Sequence, residues 1–135
     1  MKKWMLLLLP VLLGAVGCSH TSTLKWTPAL PGQVSASGKA VKWNLVAENK
    51  GMYLFYFIPL WNGYPTRPNR HDYEIGKHLL SRPHMRRMLD CKLDKLEADH
   101  VEDVKISEKS SGMLGLWIIW MRSMRAEGVA VTLGK

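Results

Sequence analysis

The densest set of reactive side chains in this chain is basic. Arg67, Arg70, Lys77, Arg82, Arg86, Arg87, Lys92 and Lys95 fall within one segment that holds four acidic residues, and Trp61 and Tyr64 come just before it. Guanidinium groups present a rigid fork that matches phosphate and carboxylate oxygens. Aromatic rings beside them suit sugar or lipid head groups. Trp61, Tyr64, Arg67, Arg70, Arg82, Arg86 and Arg87 are therefore the candidate contacts for a partner or an anionic ligand. A solvated helix face is the competing account of the same charges. The run Trp61-Asn62-Gly63-Tyr64 is a second candidate contact, because exposed Trp and Tyr mark interfaces.

Other chemistry is sparse. His20, His71, His78, His84 and His100 stand at spacings that no common metal motif uses. His84 and Cys91 share a helical side, yet two turns put them roughly 10 Å apart, too far to ligate one ion. The chain holds no nucleophile elbow, HExxH, glycine-rich phosphate loop or paired CxxC. The sequence thus points away from an enzyme and implies no cofactor and no metal. Cys91 has no second thiol for an internal disulfide once Cys18 is otherwise used. It is a buried small hydrophobe, the commonest state, an exposed thiol, or half of an intermolecular bridge.

The N-terminus is the most specific segment. Lys2 and Lys3 are followed by an apolar stretch of about 14 residues, then by Ala15-Val16-Gly17-Cys18. A cationic start, a short apolar core and small residues at a cleavage point describe a secretory signal. The apolar core is well short of the roughly 20 residues that a membrane-spanning helix needs. Ala15-Val16-Gly17-Cys18 resembles the lipobox of bacterial lipoproteins, with Ala15 where that family most often has leucine. The resemblance implies a diacylglyceryl group on the Cys18 sulfur, cleavage just before it and acylation of the new amino terminus. It also implies a membrane partner through that anchor. Ser19 stands where an aspartate would resemble an inner-membrane retention signal, so the implied address is the cell envelope, at the outer membrane and facing the periplasm.

Removing residues 1–17 leaves 118, enough for one small domain. Seventeen basic residues then face 11 acidic ones, a net charge of about +6. A basic surface favours acidic partners. Export makes nucleic acid an unsuitable partner and leaves an envelope protein or an anionic glycolipid. Residues 18–38 carry Ser, Thr, Pro and Gly throughout and read as a flexible, lipid-anchored tether, with residues 39–135 as the folded domain.

Within that domain Val41, Trp43, Leu45 and Ala47 alternate with Lys42, Asn44 and Glu48, the period of a half-buried strand. Asn49-Lys50-Gly51 reads as a turn, and the apolar run 52–60 as a central strand ended by Pro59, giving a hairpin. Residues 61–69 read as a loop and 72–80 as a short helix. After Pro83 a firmer helix extends to about Ala98, with Met85, Met88, Leu89, Leu93 and Leu96 on its core side and Arg87, Asp90 and Asp94 opposite. Residues 101–106 alternate again, 113–121 form a second apolar strand, and 128–133 form the last one or its continuation. The expected fold is α+β: an antiparallel sheet of about four strands in ββαββ order with helix on one face. The expected role is a non-enzymatic structural or interaction subunit of the envelope. The alternative is a binding module for a small apolar or anionic lipid-like ligand in the cleft between helix and sheet.

Overall fold

The computed structural model describes residues 21–112 and 118–133. The signal segment, Cys18, Ser19, His20 and Trp117 lie outside them. Six strands and two short helices run in the order β1 (Ser22–Pro28), β2 (Val41–Leu54), β3 (Ile58–Gly63), β4 (Tyr73–Ile75), α1 (Arg82–Asp90), α2 (Leu93–Leu96), β5 (His100–Gly112) and β6 (Ile119–Val131). The strands form a single antiparallel sheet, β4-β3-β2-β6-β5, in which β1 also pairs with β2. β1 and β3 lie end to end on one edge of β2, β1 opposite Trp43–Asn49 and β3 opposite Gly51–Leu54.

This corrects the four-strand ββαββ α+β expectation: the protein is mostly sheet, with one short bent helical region. Four local causes account for the difference. First, Asn49-Lys50-Gly51 is not a turn, and β2 runs straight through it for 14 residues. Asn49 is wholly buried, and its amide donates to the Gly63 carbonyl at 3.1 Å. Gly51 lies under the Asn62 side chain, where a Cβ would meet Asn62 Oδ1 at 2.0 Å. Both residues are there for close packing between strands.

Second, the chain reverses at residues 55–57, and Pro59 lies inside β3 instead of ending a strand. A register shift between Met52 and Tyr53 leaves β3 one extra residue, the kind of bulge that accommodates a proline. Third, part of the stretch read as a tether is β1. Leu24 is buried against the core, and the Asn69 side chain pairs with both backbone groups of Leu24, accepting from its N–H at 3.0 Å and donating to its carbonyl at 2.8 Å. Fourth, residues 73–75 form an edge strand on β3 instead of a helix, and β6 passes unbroken through the polar run 122–127.

The helical stripe is where the period placed it. Met85, Met88 and Leu89 are fully buried, Leu96 nearly so, and Leu93 packs against the same cluster. Arg87, Asp90 and Asp94 are exposed. Pro83 sits in the first turn of α1, where its missing N–H is harmless. The helical region then bends: α1 ends at Cys91, and α2 stops at Glu97, whose φ is +50°. Helix can approach this sheet because the central strands offer small residues there. Ala47, Ala126 and Ala130 are fully buried beneath it, between Leu45, Tyr53 and Met124. Trp43 closes the end of that layer, its indole N–H donating to the Leu96 carbonyl at 3.1 Å.

Candidate functional site

The two ends of the sheet differ in kind. β2 reaches one end at Leu54 and the other at Val41, and β5 and β6 run the same length beside it. At the Leu54 end the β2–β3 connection is Phe55-Tyr56-Phe57, followed by Ile58. All four are exposed, Phe57 by 70%. Phe55 and Tyr56 have φ of +50° and +74°, so this three-residue reversal places two bulky side chains in the left-handed region that Gly and Asn adopt most readily. For bulky aromatic residues this conformation is an outlier of order 1 kcal/mol or more each. The surroundings hold it in place. Phe55 N–H donates to the Ile118 carbonyl at 2.6 Å, and Tyr56 meets Trp120 edge-on with ring centroids 5.4 Å apart.

Arg122 binds this tip to the sheet. Its guanidinium lies 4.8 Å from the Tyr53 ring centroid and 4.7 Å from that of Tyr56. Its Nε donates to Glu108 at 2.9 Å, and Nη1 donates to the Tyr56 carbonyl at 3.4 Å. A guanidinium stacked on two rings is worth about 0.5–2 kcal/mol per contact as desolvation increases. Beneath it the buried Tyr53 hydroxyl lies 2.8 Å from both Asn62 Oδ1 and His78 Nδ1. Since Oδ1 only accepts, the hydroxyl donates to it and takes the Nδ1–H of His78. Burial pushes the Tyr53 hydroxyl up and the His78 ring down, the latter helped by Arg122 and His84.

The Val41 end also exposes Leu30, Val34 and Leu133, but it carries a cluster of polar side chains that satisfy one another. Lys39 Nζ is 2.5 Å from Glu102 Oε1, His100 Nε2 is 2.7 Å from the same oxygen, and Ser37 Oγ donates to Oε2. Asp103 Oδ2 accepts from the Ala36 N–H at 2.9 Å. The hydrogen bond from Lys39, then those from Ser37, Ser35 and His100, hold the Glu102 carboxyl far below the usual carboxylate range. The cluster clamps the β1–β2 connection to β5.

The sequence-derived candidates fall into two groups. Trp61 is half-buried in β3 between Met52 and Ile75. Tyr64 is half-buried and carries Arg67 over its ring at 5.4 Å, while Arg67 Nη1 is 3.9 Å from Asp72. Arg70 is exposed nearby in sequence. Arg82, Arg86 and Arg87 form the second group, exposed on α1. Arg86 also borders a cleft of about 460 Å³ between α1 and β5, lined with Leu89, Asp90, His100, Val101, Asp103 and Val104. Burial raises the Asp90 carboxyl in that cleft, with Arg86 opposing the shift. Of the states open to Cys91, the structure shows the exposed one, and its thiol donates to the Met88 carbonyl.

Four consecutive exposed apolar or aromatic residues thus occur at Phe55–Ile58, just ahead of the Trp61–Tyr64 run that the sequence singled out, while Leu30, Val34, Tyr73, Ile75 and Leu133 are exposed elsewhere. The overlooked signal was three consecutive aromatics inside the run 52–60. A strand buried on both faces would absorb them equally well. Among the described residues no group of three His, Cys, Asp or Glu side chains could hold a metal ion, and no helix is long and apolar enough to cross a membrane. Comparison with protein-family models, with curated proteins and with solved structures finds no match to this chain.

Proposed function

We propose that this chain is an envelope lipoprotein, held at the outer membrane by acyl chains on Cys18, whose domain acts as a non-enzymatic interaction subunit. The anchoring half rests on Ala15-Val16-Gly17-Cys18 behind a cationic, apolar leader. One observation supports the interaction half: Arg82, Arg86 and Arg87 are all exposed on α1, and no carboxylate comes within ion-pair distance of them among the described residues. Three unpaired forks on a helix of nine residues suit an acidic protein face or the phosphates of a glycolipid.

The ligand-carrier alternative gains less. Its cleft between α1 and β5 contains two carboxylates, Asp90 and Asp103, and no methionine or tryptophan. An apolar ligand would have to strip water from both acids, which is costly without compensating bonds.

The test is co-purification from detergent-solubilised envelope, comparing the native chain with Arg82→Glu, Arg86→Glu, Arg87→Glu combined. Loss of the bound protein or glycolipid in the variant is the expected result, and an unchanged set overturns the basic-face reading. Cys18→Ala should abolish fatty-acid labelling; labelling that persists places the lipid elsewhere.

A further inference from the structure

We propose that the Phe55–Ile58 tip is a second membrane contact, which dips into the head-group boundary of the bilayer that carries the anchor and stands the sheet end-on to it. The inference rests on the acyl anchor at Cys18 proposed above. Its own support is geometric. β1 runs antiparallel to β2, with Ser22 opposite Asn49 and Pro28 opposite Trp43. The Thr21 carbonyl accepts from Lys50 N–H at 2.8 Å. The chain therefore enters the domain from the side of the aromatic tip, heading away from it.

Two lengths can be compared. Cys18 precedes Thr21 by three residues, a reach of at most about 10 Å. Lys50 precedes Leu54, the last residue of β2, by four, or about 14 Å of strand. An anchor on that leash and the tip can thus occupy nearly one plane. A flexible tether of twenty residues would impose no such relation, but β1 shortens the leash to three.

The surface at that end has the composition of an interface. Phe55, Phe57, Ile58 and Ile118 supply exposed apolar side chains, and Tyr56 adds a ring with a polar edge. Aromatic residues of this kind concentrate at the boundary between acyl chains and head groups. The acyl chains implied at Cys18 already hold the protein at the bilayer, so the tip contact would set its orientation and not its attachment. Phe55 and Tyr56 keep a left-handed backbone that Asn-Gly would adopt without strain, and aromatic rings at the summit are what that strain maintains. A soluble protein partner could cover the same patch. The entry point of the chain favours the bilayer, because it is the one surface that the anchor already brings to this end.

The experiment uses the full, processed chain in phosphatidylethanolamine–phosphatidylglycerol vesicles. In a Cys91→Ser background, Phe57→Cys places a thiol-reactive, polarity-sensitive fluorophore at the tip, and Ala36→Cys places it at the opposite end. Spin-labelled lipids then report depth. The expected result is a blue-shifted, strongly quenched label at 57 and a water-like, unquenched label at 36. Labels that are equally water-like in membrane-bound protein overturn the tip contact and leave the anchor standing. Cys91→Ser chain that takes up label with no introduced cysteine has a free Cys18 thiol, which overturns the anchor instead. Circular dichroism of each labelled variant confirms that the sheet is intact.

Discussion

The two ends of one sheet teach opposite lessons about what surface side chains are for. At the Val41 end Lys39, His100, Ser37 and Glu102 satisfy one another, and the chain there is cross-linked by charge. At the Leu54 end Phe55, Phe57 and Ile58 stay exposed, Tyr56 packs on Trp120 and Arg122, and the backbone at Phe55 and Tyr56 is strained. Groups chosen for stability resemble the first end. Groups kept for contact with something else resemble the second.

The comparison can be broken most forcefully at Gly51, where the tip half of β2 meets Asn62. Gly51→Ala sets a Cβ 2.0 Å from Asn62 Oδ1 and 3.0 Å from the Trp61 carbonyl, so the buried, hydrogen-bonded Asn62 side chain or the strand itself must move. A loss of about 3 kcal/mol is expected from urea unfolding, in the upper range for overpacking. Hydrogen exchange should show faster opening of residues 51–54 than of 43–47. Uniform loosening would mean that the two halves of the strand are not separable.

At the polar end the expected signature is a pH dependence. Glu102 is more acidic folded than unfolded, so its contribution is present above its ordinary value of 4.5 and is lost as pH falls toward the folded value. Glu102→Gln should therefore lower the midpoint of thermal unfolding at pH 7, with the gap to native closing progressively below about 4.5. A gap independent of pH would show that the carboxylate is not what clamps the loop. His78 sharpens the contrast from the other side. Its lowered pKa makes the tip half lose stability as pH falls below about 6.5, earlier than the polar end.

Smaller effects are expected at the tip itself. Phe55→Asn replaces an aromatic residue at φ +50° by one that tolerates that region, and should raise unfolding stability by about 0.5–1 kcal/mol. Destabilisation would mean that Phe55 is structural. Smallest of all, Arg82→Glu, Arg86→Glu and Arg87→Glu should each change stability by no more than about 0.5 kcal/mol, as exposed sites do. A larger loss would identify α1 as held by those charges.

Legibility in the sequence followed the range of the forces involved. The stripe Met85, Met88, Leu89, Leu93, Leu96 was legible because its period is local and matches one buried face. The alternation 41–47 was legible for the same reason. Asn49 and Gly51 misled because turn residues were serving a contact with Asn62 and Gly63, far along the chain and invisible to local pattern. β1 was missed because its Ser and Thr content resembles a linker, whereas Ser22 is buried and donates to the Tyr64 carbonyl. The tip was illegible for a different reason: Phe-Tyr breaks the usual chemistry of a reversal, so no rule of propensity points to it. Of the proposed contacts, Arg87 was readable as exposed from the helical period, while Phe55–Ile58 needed the sheet.

The length of β2 has a mechanical consequence. Fourteen strand residues, braced by β6 along nearly all of them, make a stiff rod of about 45 Å. Footed on its aromatic end, such a rod would hold the Ser37–Glu102 clamp that far into the aqueous layer. Strand length, and not slack in a leader, would then set the distance at which this protein can be met.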